Sequence, residues 1–199
     1  MNQKTKTLTG LALFTAIIVV LQLLGSFIKF GPFSISLVLI PIVVGAAVYG
    51  PKAGAYLGGV FGVVVLIACI AGWDMGGNLM WNANPLLTAL VCVGKGALAG
   101  LAAGGVYTLA GKKNRMAGTV LAAIVCPAVN TGIFLLALFF PFHDFLVAWS
   151  TAAGADIATY VLTGLVGVNF VAELLLNVVV SPVIVRIIGA RLGTAKTAA

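Results

Sequence analysis

The sequence contains very little charge. Of its 199 residues, 8% are charged, with 11 Lys and Arg against 4 Asp and Glu. A soluble domain has about 25% charged residues. Hydrophobic residues make up 62% of the chain, and the mean hydropathy is +1.20. Because so few charges cannot cover a surface that faces water, the composition excludes an ordinary soluble domain and predicts an integral membrane protein.

Cysteine and histidine are also scarce. Cys69, Cys92 and Cys126 lie inside apolar runs, without a CxxC pair, and His143 is the one histidine. An odd number of thiols inside such runs excludes a disulfide framework. No group of metal-ligand spacing is present, so we expect neither a metal site nor a cofactor. The net charge of +7 comes from short basic connections, and the basic face with interleaved aromatics that nucleic-acid binding needs is missing.

Long apolar runs dominate the sequence. A membrane-spanning helix needs roughly 20 apolar residues, and the first run is too long for the core of a signal peptide. The second run is short and contains Pro41, so we expect it to be broken or tilted. The chain is therefore predicted to be a single all-α membrane domain, 1–199, of six transmembrane helices at about 7–28, 34–49, 53–71, 85–109, 116–141 and 165–188.

The basic residues predict the orientation of these helices. Cytoplasmic connections are enriched in Lys and Arg, which places both termini in the cytoplasm. The outer side then holds the acidic residues Asp74, Asp144 and Asp156, with Lys29 as its basic residue. Two outer connections, 72–84 and 142–164, are long, and the second has the composition of a short interfacial helix. Such connections either receive something from outside or simply cover the surface.

Four polar side chains lie at a similar predicted depth in the outer half of the membrane. Counting 1.5 Å per residue from the predicted helix ends places them roughly 10–15 Å deep. Ionisable groups at that depth must face the bundle interior or a wet cavity. The four residues come from four different helices: Gln22, Lys95, Asn130 and Glu173.

The last predicted helix carries a polar stripe. Asn169, Glu173 and Asn177 are spaced four residues apart, so they share one inward face. Lys95 and Glu173 either form a buried ion pair that locks the helices or line a pocket for a polar solute. A cation in such a pocket suits a carboxylate-bearing solute. Trp81, with Asn82 and Asn84, is predicted at the outer mouth, where it either covers a bound ligand or belongs to the interfacial aromatic belt.

Small residues form faces on three predicted helices. Ala12 and Ala16 lie one turn apart on the first helix, and glycines recur every four residues at 54, 58 and 62 and again at 96, 100 and 104. Such faces let helices approach closely. They serve either packing within the chain, which is the usual role of such glycines, or contact with another protein, and both roles stay open for the alanines.

Three segments resemble a known family. They are Ala12-Leu-Phe-Thr-Ala16, "VVGAAVYGPKAGAYLGGVFG" at the second turn and "CPAVNTGIFLLALFF" in the fifth helix. With the predicted topology, they make the whole chain similar to the substrate-binding S components of energy-coupling factor (ECF) transporters. The resemblance implies a vitamin-binding subunit of the bacterial plasma membrane that captures its substrate from outside.

The resemblance also implies partners. An S component docks on a membrane coupling subunit that carries two cytoplasmic ATPases, so Ala12 and Ala16 would be the docking residues. The chain has no GxxxxGK[ST] motif, so ATP hydrolysis is expected in the partners, and the chain is not expected to be an enzyme. Lys95 favours an anionic vitamin such as pantothenate over riboflavin. The alternative is a self-sufficient secondary transporter or channel, although the paired repeats common in such proteins are not evident.

Overall fold

The computed structural model describes the backbone of residues 3–25, 29–30, 33–34 and 37–197 and the side chains of residues 4–25, 37–167 and 170–187. Within these ranges the chain is helical apart from connections and one short hairpin, which confirms the all-α prediction. Five stretches are long and apolar enough to cross a membrane, and Leu39–Tyr49 is a shorter apolar helix. The membrane orientation remains a prediction, and it serves only to name the outer and inner ends of the bundle.

The elements follow one another along the chain with short connections. A two-residue antiparallel pair, Lys29–Phe30 (β1) with Phe33–Ser34 (β2), separates the first two helices. A π-helical turn, Val161–Leu165, joins the last two. The helices are α1 Gln3–Gly25, α2 Leu39–Tyr49, α3 Pro51–Ile70, α4 Met75–Ala83, α5 Pro85–Ala110, α6 Arg115–Phe139, α7 His143–Ala152, α8 Ile157–Tyr160 and α9 Gly167–Thr197.

The second predicted helix begins later than expected. The sequence predicts it from residue 34, but α2 starts at Leu39, because Ser34 pairs with Lys29 in the hairpin. Pro41 lies in the first turn of α2, where a backbone N–H has no helical acceptor, so the proline is accommodated without a break. Gly50 then adopts a φ of 92°, which favours glycine. This conformation permits the tight turn into α3.

The last apolar helix begins earlier than expected. The sequence places residues 142–164 in a connection with a short helix, and α7, His143–Ala152, agrees with that expectation. The difference is that a continuous helical segment already starts at Ile157. Asp156 caps this start by accepting a hydrogen bond from the Thr159 N–H at 3.2 Å. Glycines at 164 and 167 do not interrupt the segment, because the π-helical turn contains the first and leads directly to the second.

Helices α3 and α5 run antiparallel and touch through their backbones. A Cβ atom added at Gly58 would overlap the carbonyl group of Gly96, and one added at Gly96 would overlap that of Gly58. Gly54 and Gly100 have the same reciprocal relation. The two glycine series therefore serve packing within the chain, because only hydrogen atoms fit between these helices. Around this contact lies an apolar core that includes Leu57, Phe61, Ile42, Leu39 and Ile18.

The close contact predicts that alanine substitutions at two adjacent glycines differ sharply in their effect on stability. Gly58→Ala should lower the free energy of unfolding by about 1–3 kcal/mol, because the carbonyl group of Gly96 cannot move without separating the helices. Gly59→Ala is the matched control, since a Cβ there meets nothing within 4 Å. Thermal unfolding in detergent measures both changes. Equal melting temperatures for the two variants would contradict this view of the helix pair.

Candidate functional site

A cavity lies between the outer parts of the helices. It has a volume of about 90 Å³, several times the roughly 10–15 Å³ that one water molecule requires. Side chains from α1, α3, α5, α6 and α9 form its walls, and α4 contributes at one end. Its polar lining residues are Gln22, Asp74, Thr88, Lys95, Asn130, Thr131 and Glu173, with the thiols of Cys69 and Cys92.

Four of the predicted site residues line this one cavity: Gln22, Lys95, Asn130 and Glu173. Their meeting does not depend on the predicted depths, some of which were wrong. Glu173 lies sixteen residues after Ile157, where the last span begins, rather than eight residues below an end at 165. The structure brings these residues together, and their role in binding a ligand stays a prediction.

Lys95 occupies a half-buried position on the α5 wall of the cavity. Its Nζ lies 4.9 Å from the centre of the Phe134 ring on α6. An ammonium over an aromatic face is attracted by the electrons of the ring. This contact holds the charge at the cavity wall, where it can still accept an anionic group.

The Asn130 side chain contributes a buried acceptor to the site. Its side chain is 6% exposed, and its Oδ1 atom has no hydrogen-bond donor among the residues that the structure describes. A buried acceptor without a donor is costly. Since the same side chain lines the cavity, a donor group placed there would satisfy it.

Asp74 and Met80 also line the cavity, and the sequence did not identify them. Asp74 is only a marker of the outer side in the sequence, but its side chain lines the cavity and accepts the Gly77 N–H at 3.0 Å as the N-cap of α4. Asn78 of α4 donates to the Cys69 carbonyl oxygen at 2.8 Å. This bond ties α4 to the end of α3, so Met80 reaches the cavity. The one available signal was the Asp-x-x-Gly capping pattern.

The remaining predicted residues lie elsewhere. Asn177 is 1% exposed and donates to the Glu173 carbonyl oxygen at 3.1 Å, which places it one turn beyond the cavity. Asn84 caps α5 by accepting the Leu87 N–H at 3.1 Å. Trp81 is half-buried on α4, and like Asn84 it is outside the cavity lining. The side chain of Asn169 lies outside the described residues.

Ala12 and Ala16 are both exposed on α1. Helix α1 packs on α2 with a different face, where Gly10 touches Tyr49. The phenyl ring of Phe14 meets the same tyrosine edge-on, with 6.2 Å between ring centres. Within the described part of the chain, the alanine face therefore does not serve internal packing, and it is available to lipid or to another protein.

The amino-acid sequence of the chain is similar to known proteins. A family model described as "ECF transporter, substrate-specific component" matches residues 6–185. The chain belongs to this family. It is thus a multi-pass bacterial membrane protein and a non-enzymatic, substrate-binding transport subunit. It is also 28% identical over 195 residues to the Pantothenic acid transporter PanT of Lactococcus lactis subsp. cremoris (strain MG1363), covering 92% of this chain and 94% of that relative.

The observed cap makes a prediction for Asn84. Asn84→Ala should cost about 1 kcal/mol of stability, whereas Asn84→Ser should cost little, because a serine oxygen can accept the same N–H. Thermal unfolding of the purified protein separates the two. Asn82→Ala is a control at an exposed amide near the end of α4. A serine variant that keeps its stability but loses ligand affinity would instead give Asn84 a role in binding.

Proposed function

We propose that this subunit captures an anionic vitamin of the pantothenate type in the cavity described above. The proposal is carried by one observation, the convergence of the Lys95 ammonium and the buried Asn130 acceptor on the same cavity. An ammonium in a restricted space favours a carboxylate. The acceptor favours a ligand that also carries hydroxyl or amide N–H groups. Pantothenate combines these groups, and the relative named for its transport supports the choice.

Transport is proposed to depend on partners. The subunit would dock on a membrane coupling protein served by two ATPases, with the Ala12 and Ala16 face of α1 as the contact. That face is exposed, and small residues allow a partner helix to approach closely. Flanking side chains on the same helix are large, apolar and exposed, including Leu13 and Ile17. They would surround the close contact with an apolar rim.

The binding site is tested by removing its cation. Lys95→Ala should abolish high-affinity pantothenate binding while the melting temperature of the ligand-free protein stays near that of the wild type. Isothermal titration in detergent provides the measurement. Lys52→Ala is the matched control, because Lys52 lies at the inner start of α3, away from the cavity. Unchanged affinity in the Lys95 variant would give this lysine a structural role.

The docking face is tested by adding bulk. Replacing Ala12 and Ala16 together by leucine should leave pantothenate binding unchanged but reduce uptake by cells to near background, because the larger side chains hold a partner helix away. Co-purification with the coupling subunit should be lost as well. Ala128→Leu is the control, since Ala128 is also exposed but lies on α6. Normal uptake by the double variant would place the docking face elsewhere.

A further inference from the structure

We propose that the cavity binds its ligand in one orientation, with a carboxylate at Lys95 and a hydroxyl group donating to Oδ1 of Asn130. The ligand class is then a hydroxylated carboxylic acid. This inference rests on the proposed function, and it adds which end of the ligand each residue recognises. Asn130 becomes a specificity-determining residue that selects for a donor.

The charged groups around the cavity come from different elements. Lys95 lies on α5, Asp74 caps the start of α4 and Glu173 lies on α9, and all three line the cavity. The ammonium and the two carboxyl groups are therefore contributed by separate parts of the chain.

The Asp74 carboxylate does not prevent an anion from binding at Lys95. Its carboxylate caps α4, where it accepts the Gly77 N–H and lies at the positive end of that helix dipole. Part of its charge is thus compensated locally. The Lys95 ammonium lies over a neutral ring, and it can attract a ligand carboxylate.

Asn130 requires a hydrogen-bond donor rather than an anion. Phe134 and Asn130 are four residues apart on α6, so they share one face of that helix, with a rise of roughly 6 Å between their Cα atoms. A carboxylate at Asn130 would offer no proton to Oδ1. A hydroxyl or amide N–H can donate to this acceptor. The reversed orientation is therefore disfavoured twice, because it leaves the Asn130 acceptor unsatisfied and brings no anionic group to the Lys95 ammonium.

Three ligands can test separately how the carboxylate end and the hydroxyl end are recognised. They are pantothenate, its alcohol analogue pantothenol, in which the carboxylate is replaced by a hydroxymethyl group, and the analogue in which both hydroxyls are replaced by hydrogen. Dissociation constants are measured by titration calorimetry for the full-length wild type, Lys95→Met and Asn130→Leu. The wild type should prefer pantothenate to pantothenol by roughly 30-fold or more and to the dehydroxylated analogue by about tenfold.

Each variant should lose one preference and keep the other. Lys95→Met should bind pantothenate and pantothenol equally while still requiring the hydroxyls. Asn130→Leu should no longer discriminate against the dehydroxylated analogue, while its preference for the carboxylate remains. Asn130→Ala also removes the acceptor, with a smaller side chain, and it replaces the leucine variant if that variant does not keep the wild-type melting behaviour.

The failures are distinguishable. If Lys95→Met loses the hydroxyl preference, or if either variant weakens all three ligands equally, the orientation is wrong. A wild type that binds pantothenate without distinguishing the analogues overturns the inference and leaves the proposed function standing. A wild type that does not bind pantothenate overturns both.

Discussion

The architecture depends on the backbone contact between α3 and α5. In a bilayer, lipid tails compete with side chains for apolar contact, so helices associate through close packing rather than through exclusion of water. The reciprocal glycine pairs 54 with 100 and 58 with 96 provide that packing. Toward the outer end, the same two helices carry Cys69, Cys92 and Lys95. The contact thereby fixes one wall of the cavity, and the other helices close around it.

The polar lining of the cavity also follows from the bilayer environment. Lys95 and Glu173 cannot face hydrocarbon without a large cost, so their positions within apolar runs of the sequence are enough to predict an interior hollow. The prediction needs only the residue type and the surrounding run, not an accurate helix end. It therefore succeeded for Glu173 even though the last span begins eight residues earlier than predicted, at Ile157.

Other features could not be predicted, because they depend on contacts between distant segments. Asp74 and Asn84 both precede helices, and sequence alone did not show that the carboxylate would also reach a cavity while the amide would only cap. The hairpin pairs Lys29 with Ser34, and Ser34 had been assigned to the second helix. Exposure of Ala12 and Ala16 was equally undetermined, since a small-residue face packs as well inside a bundle as outside it.

The π-helical turn at Val161–Leu165 has a consequence for the face that α9 presents. A turn with one additional residue delays the rotation of everything after it by about 100° relative to an uninterrupted α-helix. Tyr160, before the turn, belongs to the apolar cluster that includes Leu138 and Leu146, and Glu173, after the turn, lines the cavity. The turn thus sets the rotation of α9, so that one continuous helical segment contacts the apolar cluster near its start and lines the polar cavity farther along.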